Sequence, residues 1–264
     1  MLRTDQLAFS MQGRLLLAPL SVSFQPGRLH AIFGPNGAGK STLLRLLSRE
    51  WGTARGQILL DDRPLSDWAA ADLARHRAIL PQQHALTFAF SAAEVVALGR
   101  LHAERRTATR ERQIVADALA ACGAGTLAAR SYARLSGGER ARVQLARVLA
   151  QIWEAPAGRA RYLMLDEPTA HLDLAFQHAC LRLARDWLQA GVCVIAVLHD
   201  PNLVLAYADD VLVLDHGRLR AQGSPSSVLN AELMQEIYGL GAERLQTPDG
   251  QHWLAVRANR AATP

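Results

Sequence analysis

Apolar and polar residues alternate over residues 2–9 and again over 20–24, the period of strands with one covered face. A short apolar run, residues 28–33, then stops at a glycine-rich loop, and residues 40–48 set leucines at helical spacing. Residues 56–60 predict a strand, Asp61 and Asp62 a turn, and residues 69–77 a short helix. From Ser91 to Gln151 the strand signal disappears. Ser91 and Glu94 form a capping box ahead of an apolar run, and residues 109–122 place Ile114, Ala118, Leu119 and Cys122 on one helical face. A third helix continues through Val143, Leu145, Ala146, Val148, Leu149 and Ile152. Strands return at 161–165, 192–198 and 210–214, each apolar along its whole length, as strands covered by helices on both faces are. A final helix at 231–238 and a turn at Pro248–Gly250 precede a strand at 253–256, and the tail from Ala258 is expected to be mobile. The pattern is α/β, with a helical insert interrupting the strands of one sheet.

Half of the 264 residues are hydrophobic, enough for a large core. No apolar run approaches the length that spans a bilayer, and the first 17 residues are too polar for a signal peptide. The net charge of +5 is spread among acids, so Arg105, Arg106, Arg110 and Arg112 read as a solvated helix face and nucleic acid is not an expected partner. Cys122, Cys180 and Cys193 lack pairing or metal-ligand spacing and read as buried thiols. The nine histidines are scattered without ligand spacing.

Among 29 residues of lysine or arginine type, one is lysine, Lys40. It lies in Gly34-Pro35-Asn36-Gly37-Ala38-Gly39-Lys40-Ser41-Thr42, the spacing of a phosphate-cradling loop. Backbone amides of such a loop converge on phosphate oxygens, and the following helix directs its positive end at them. An ammonium on a thin stem reaches between phosphates where a guanidinium fork does not fit. Ser41 is expected to place its hydroxyl on Mg²⁺, and Thr42 to lie near the α-phosphate. An apolar strand ends in Asp166 and Glu167, a costly place for charge unless a cation and a water need it. Asp166 is expected to hold Mg²⁺ through its water shell, and Glu167 to act on the attacking water. Leu135-Ser136-Gly137-Gly138-Glu139 opens a long amphipathic helix, so its amides offer a second anion site. One nucleotide has one γ-phosphate, and the simplest arrangement for two phosphate sites is two chains head to tail.

The glycine loop, Gln82, the Leu135–Glu139 signature, Asp166-Glu167, Ala170 to Asp173 and His199 occur in the order found in ATP-binding cassette transporters, and the chain resembles their nucleotide-binding subunits over nearly its full length. The resemblance implies a P-loop NTPase fold of the ABC ATPase type: a RecA-like mixed sheet core, an antiparallel β subdomain and an inserted helical subdomain. Residues 1–84 and 158–257 would form the core with the β subdomain, residues 85–157 the insert and 258–264 the tail. It also implies that Gln82 touches Mg²⁺ or water, that Asp173 communicates across a dimer, and that His199 contacts the γ-phosphate. Counting back ten residues from Ser21 places Met11 beside adenine, with Phe9 the alternative. Arg140 stands where glutamine is common.

Within the family, residues 92–100, 143–151 and 197–203 are similar to ATPases of bacterial importers for iron chelates, haem and cobalamin. The extension at 152–161 resembles the haemin-import ATPases. The resemblance implies ATP and Mg²⁺ as cofactors, a second copy of the chain and a membrane permease as partners, and a periplasmic haem-binding protein as an indirect one. It places the chain at the cytoplasmic face of the inner membrane. Gln82 to Phe90 and the insert are the expected seat of a permease helix. Rival readings are a nucleic-acid ATPase of the same fold and a kinase built on the same loop, which leaves the signature and His199 without a role.

Overall fold

Leu2 and Leu7 face inward from β1 (Leu2–Met11), which folds back antiparallel on β2 (Arg14–Leu20) and also pairs β3 (Ser23–Phe24). The short apolar run becomes β4 (Leu29–Phe33), buried at every position, and the leucine-rich segment becomes α1 (Lys40–Leu47). β5 (Arg55–Leu60) pairs β1 and turns through Asp61 and Asp62, both with left-handed φ, into β6 (Arg63–Pro64). These strands make an antiparallel sheet of order β2-β1-β5-β6, with β3 beside β1. The structure, a computed structural model, describes residues 1–52, 55–82, 89–103, 107–154, 158–169, 172–248 and 250–258.

α2 (Ala70–His76) leads directly into β7 (Arg77–Leu80). Then follow α3 (Ala92–Ala97), α4 (Ala108–Ala121) and α5 (Gly137–Gln151), helices of the expected insert. The Ser91–Glu94 capping box forms, and Ile114, Ala118, Leu119 and Cys122 are buried together. Beyond the insert come β8 (Arg161–Asp166), α6 (Leu174–Leu188), β9 (Val192–Val197), α7 (Pro201–Tyr207), β10 (Asp210–Asp215), β11 (Arg218–Gly223), α8 (Pro225–Val228) and α9 (Ala231–Tyr238). A separate hairpin of β12 (Gly241–Gln246) and β13 (His252–Arg257) ends the described chain.

The second sheet has the order β11-β10-β4-β9-β8-β7, parallel except for β11. Its apolar strands divide their side chains by the two-residue period. Ala31, Phe33, Leu163, Leu165, Val194 and Ala196 join the core shared with the insert helices. Ile32, Tyr162, Met164, Cys193, Ile195 and Val197 join the core shared with α1 and the antiparallel sheet. Both faces are covered, which is why these strands lack alternation in sequence. The three cysteines are buried and free. The expected strand at 20–24 is corrected: a hairpin strand, β2, ends at Leu20, and only Ser23 and Phe24 extend again. Arg105, Arg106, Ala170 and His171, most of the Gln82–Phe90 segment, Asp249 and the tail beyond Ala258 lie outside the described residues. Of the expected arginine face, Arg110 pairs with Glu154 at 3.1 Å.

Candidate active site

The parallel strands deliver their C-terminal ends to one crevice, where ligands of open α/β sheets bind. β4 feeds the glycine loop, β7 leads to Gln82, β8 ends at Asp166, and β9 leads to His199. Gly39 stands at the N-cap of α1 with φ +97°, contributes no side chain, and is followed by no acid in the first turn, so the positive end of this helix stays open to an anion. Gly34 is forced by packing: a Cβ there would lie 2.0 Å from the Leu214 carbonyl oxygen.

Lys40 is 5 % exposed and folds back along the loop, donating from Nζ to the carbonyl oxygens of Gly34 at 2.7 Å and Pro35 at 2.8 Å. Burial lowers its pKa, opposed by the nearby charges of Glu167 and Asp166. Ser41 donates from Oγ to Asp166 Oδ1 at 2.9 Å. Burial raises the Asp166 carboxyl above the usual carboxylate range, and the Ser41 hydrogen bond opposes it.

Glu167 takes a left-handed φ of +52° immediately after the strand, which turns its side chain away from Asp166 toward a different pair of partners. Gln82 donates from Nε2 to Glu167 Oε2 at 2.6 Å, and His199 Nε2 lies 2.8 Å from Glu167 Oε1. Lys40, Ser41, Asp166, Glu167, Gln82 and His199 are thereby joined around one crevice.

The remaining expected site residues lie elsewhere. Met11 ends β1, 41 % exposed, opposite Arg14 in the hairpin, while Phe9 is stacked on Trp51 at 5.3 Å between centroids. Ser136 caps α5 through a capping box: its hydroxyl accepts from the Glu139 amide, and its own amide donates to Glu139 Oε2 at 2.8 Å. The expectation that the Ser136 amide is free for an anion is therefore corrected, since Glu139, itself paired with Arg130 at 2.7 Å, already occupies it. Gly137 and Gly138 remain at the helix start, where a Cβ on either would meet open space. Asp173 caps α6, accepting from the Phe176 amide at 2.8 Å. Arg140 donates to the Ala133 carbonyl at 2.6 Å.

One contact was not anticipated from sequence: the Gly217 amide donates to the Ala38 carbonyl inside the glycine loop at 3.1 Å. Its only sequence signal is a His-Gly pair between two apolar runs.

Residues 17–170, from β2 through the strand-end acids, match the family described as ABC transporter. The chain belongs to the ABC transporter family. Its chemistry is ATP hydrolysis coupled to transport, which disposes of the kinase reading. Among curated relatives of this ABC ATPase, a hemin import ATP-binding protein of Gloeobacter violaceus is 47 % identical over 241 residues, covering 91 % of this chain and 88 % of that one. Another of the same name, from Pseudomonas aeruginosa, is 45 % identical over 257 residues, covering 97 % and 99 %. A solved metal-chelate type ABC transporter in an inward-facing conformation superposes with a TM-score of 0.79 at 27 % identity, covering 97 % of this chain and 96 % of that one. The ABC ATPase fold is thus established: a mixed sheet core, an antiparallel sheet and intervening helices. Among the described residues no helix is long and apolar enough to cross a membrane.

Proposed function

We propose that this chain is the ATP-hydrolysing subunit of a bacterial inner-membrane importer that takes up haem, as haemin, through a partner permease. The observation that carries the catalytic half is the meeting of Gln82 and His199 on Glu167, beside a loop whose lysine and helix end await phosphate. In this reading Glu167 orients and deprotonates the attacking water, His199 and Lys40 meet the γ-phosphate, and Gln82 reports its presence to the insert. Loop amides from Gly34 to Gly39, with Ser41 and Thr42, hold the phosphates, and Met11 lies nearest the adenine.

The residues fit a divalent cation. Ser41 Oγ and Asp166 Oδ1 lie 2.9 Å apart, and a carboxyl whose ionisation burial opposes gains from a positive charge beside it. Mg²⁺ would be held by Ser41, Gln82 and, through water, Asp166, and would supply charge neutralisation to the phosphates when bound.

The second half of the site comes from a second copy. Among the described residues nothing requires glycine at 137 or 138, because neither takes a left-handed φ and a Cβ would meet no described neighbour. Close approach by phosphate on the facing copy supplies that requirement, with Ser136 and Glu139 shaping the helix end and Asp173 at the seam. ATP closes the pair and hydrolysis reopens it. Residues 1–84 with 158–257 act as the core, and residues 85–157 as the insert that follows the permease.

The insert carries a groove of about 680 Å³ lined by Ala93, Ala97, Leu101, Val115, Leu119 and Ala128, with Leu101 72 % exposed. A permease helix seated there, with the segment from Gln82 to Phe90 as the other expected part of the seat, anchors the chain to the cytoplasmic face of the inner membrane. A periplasmic haem-binding protein then acts only through that permease, and nucleic acid is no partner. Hydrogen exchange of the complex should protect α3 and α4 relative to the free chain; unchanged exchange would remove this docking site.

The haem cargo rests on the curated hemin-import relatives, and the likeness to a metal-chelate transporter keeps ferric siderophore or cobalamin as the second reading. Reconstitution with the permease, comparing ATP-driven uptake of haemin, a ferric siderophore and cobalamin, decides between them. Uptake of a siderophore or cobalamin without haemin would overturn the first reading.

A further inference from the structure

We infer that Gly217, in the turn between β10 and β11, is a positioning residue for nucleotide: it pins the phosphate loop to β2 and so sets the direction of a loop amide. The inference rests on residues 34–42 being the phosphate site.

Asp215 and Arg218 face each other across this hairpin, and the two residues between them, His216 at φ +46° and Gly217 at φ +73°, are both left-handed. That is the two-residue turn that matches the twist of paired strands, and a glycine there ordinarily serves the hairpin alone. Here its peptide groups reach two other elements. The Gly217 amide donates to the Ala38 carbonyl at 3.1 Å, and the Gly217 carbonyl accepts from the Ala18 amide of β2 at 2.7 Å. Ala18 is not spent on the β1 ladder, where Leu17 pairs Phe9 and Leu20 pairs Leu7.

The contact leaves no room for a side chain. A Cβ on Gly217 would lie 2.7 Å from the Leu16 carbonyl oxygen, and a Cβ on Gly39 would lie 2.9 Å from that same oxygen and 3.6 Å from the Gly217 Cα. β2, the β10–β11 turn and the phosphate loop therefore meet backbone to backbone at Leu16, Gly217 and Gly39.

The consequence follows from peptide planarity. In a trans peptide the C=O and the following N–H point in opposite directions. With the Ala38 carbonyl held outward by Gly217, the Gly39 amide of the same peptide points the other way, into the loop. A loop amide is thus aimed before any anion arrives, which removes reorganisation from the binding step. Residues 179 positions apart along the chain make one clasp, Ala38 to Gly217.

The test compares Gly217→Asn, Ala18→Pro and His216→Asn in the full chain. Asparagine tolerates the left-handed turn but brings a Cβ against Leu16, whereas Ala18→Pro replaces the donating N–H by a ring carbon that faces the Gly217 carbonyl and so breaks the clasp from the β2 side. Both should raise the Kd and KM for ATP about five-fold or more while kcat stays within about two-fold, the signature of lost binding and not of lost chemistry. His216→Asn keeps the turn without touching the clasp and should leave both constants as they are. If Gly217→Asn does not fold, Ala18→Pro decides alone. Reduced kcat and melting temperature at unchanged Kd, in whichever variant folds, would mean that Gly217 serves the hairpin only and would overturn the inference. Lys40→Ala, run in parallel, separates the two readings: full ATP affinity in that variant removes the phosphate site itself, whereas loss there with full affinity in the clasp variants removes only the clasp.

Discussion

Glu167 and His199 meet at 2.8 Å, Oε1 to Nε2, while the other carboxylate oxygen of Glu167 accepts from Gln82. The carboxylate is held from both sides at the end of a strand, with its geometry fixed by neighbours on two different segments. Replacing Glu167 by Gln keeps the shape and removes the proposed base. Turnover should fall by about 10²–10⁴-fold, the usual scale of a general base, while ATP binding persists. Near-normal single-turnover hydrolysis by Glu167→Gln would place the base elsewhere.

Lys40→Arg keeps the charge but not the fit. The ammonium sits between the Gly34 and Pro35 carbonyls at 5 % exposure, where a planar fork has no space. ATP affinity should drop by about ten-fold or more, nearly as far as in Lys40→Ala, a loss of at least about 1.4 kcal/mol. Affinity close to wild type in a calorimetric titration of Lys40→Arg contradicts the tight fit.

Gly137→Val separates folding from assembly. The position is open among the described residues, so the melting temperature should change by no more than about 2 °C, the effect of a surface substitution in a domain of this size. ATP-dependent association of a hydrolysis-dead chain should nevertheless be lost, as read by light scattering. Dimers that form normally with valine there would show that the signature helix does not face a second nucleotide.

Asp166→Asn should make the nucleotide-free protein more stable. A raised carboxyl pKa means that the native state holds a proton better than the unfolded state, so stability falls as pH rises from about 3.8 through the raised value. Above the raised value that cost is fully present, and the amide removes it. Melting should rise by about 2–4 °C for each kcal/mol relieved, while Mg²⁺-dependent hydrolysis disappears. A lower melting temperature without Mg²⁺ would mean that the buried charge is already compensated.

Two buried histidines give the opposite pH response. Burial lowers the pKa of His30 and of His76, whose ring meets the edge of Trp68 among the charges of Arg159, Asp61 and Arg75. His30 Nε2 lies 2.9 Å from the Gln25 amide and 3.2 Å from its carbonyl oxygen, and burial outweighs both this contact and Asp210, 3.6 Å from Nδ1. Below about pH 6.5 the unfolded chain gains protons that the native chain refuses, so stability is lost as pH falls toward the lowered values. Thermal melts from pH 7.5 to 5.5 should show a decline that is shallower in His76→Gln. Parallel curves for the two proteins refute a contribution from His76.

Much of this architecture is legible along the chain because local chemistry and tertiary packing agree. β4, β8, β9 and β10 announce themselves by unbroken apolar runs, and α3 and α5 by serine–glutamate caps that the structure forms. β2 escapes because consecutive leucines and Pro19 hide its alternation, and β7 because four residues at a sheet edge are too few to show a period. Gln82, Asp166, Glu167 and His199 are readable as motifs, yet their convergence depends on which strands lie side by side. The bond from Gly217 to Ala38 carries no composition signal, because backbone groups make it and any residue type offers those.

The solitary lysine has a practical corollary. Lys40 is the single lysine in the sequence, and it is tucked against two carbonyls at the mouth of the cradle. An acylating tag that reacts with side-chain amines therefore has one address, which a mass spectrum resolves by peptide. Labelling there becomes an occupancy gauge for the crevice.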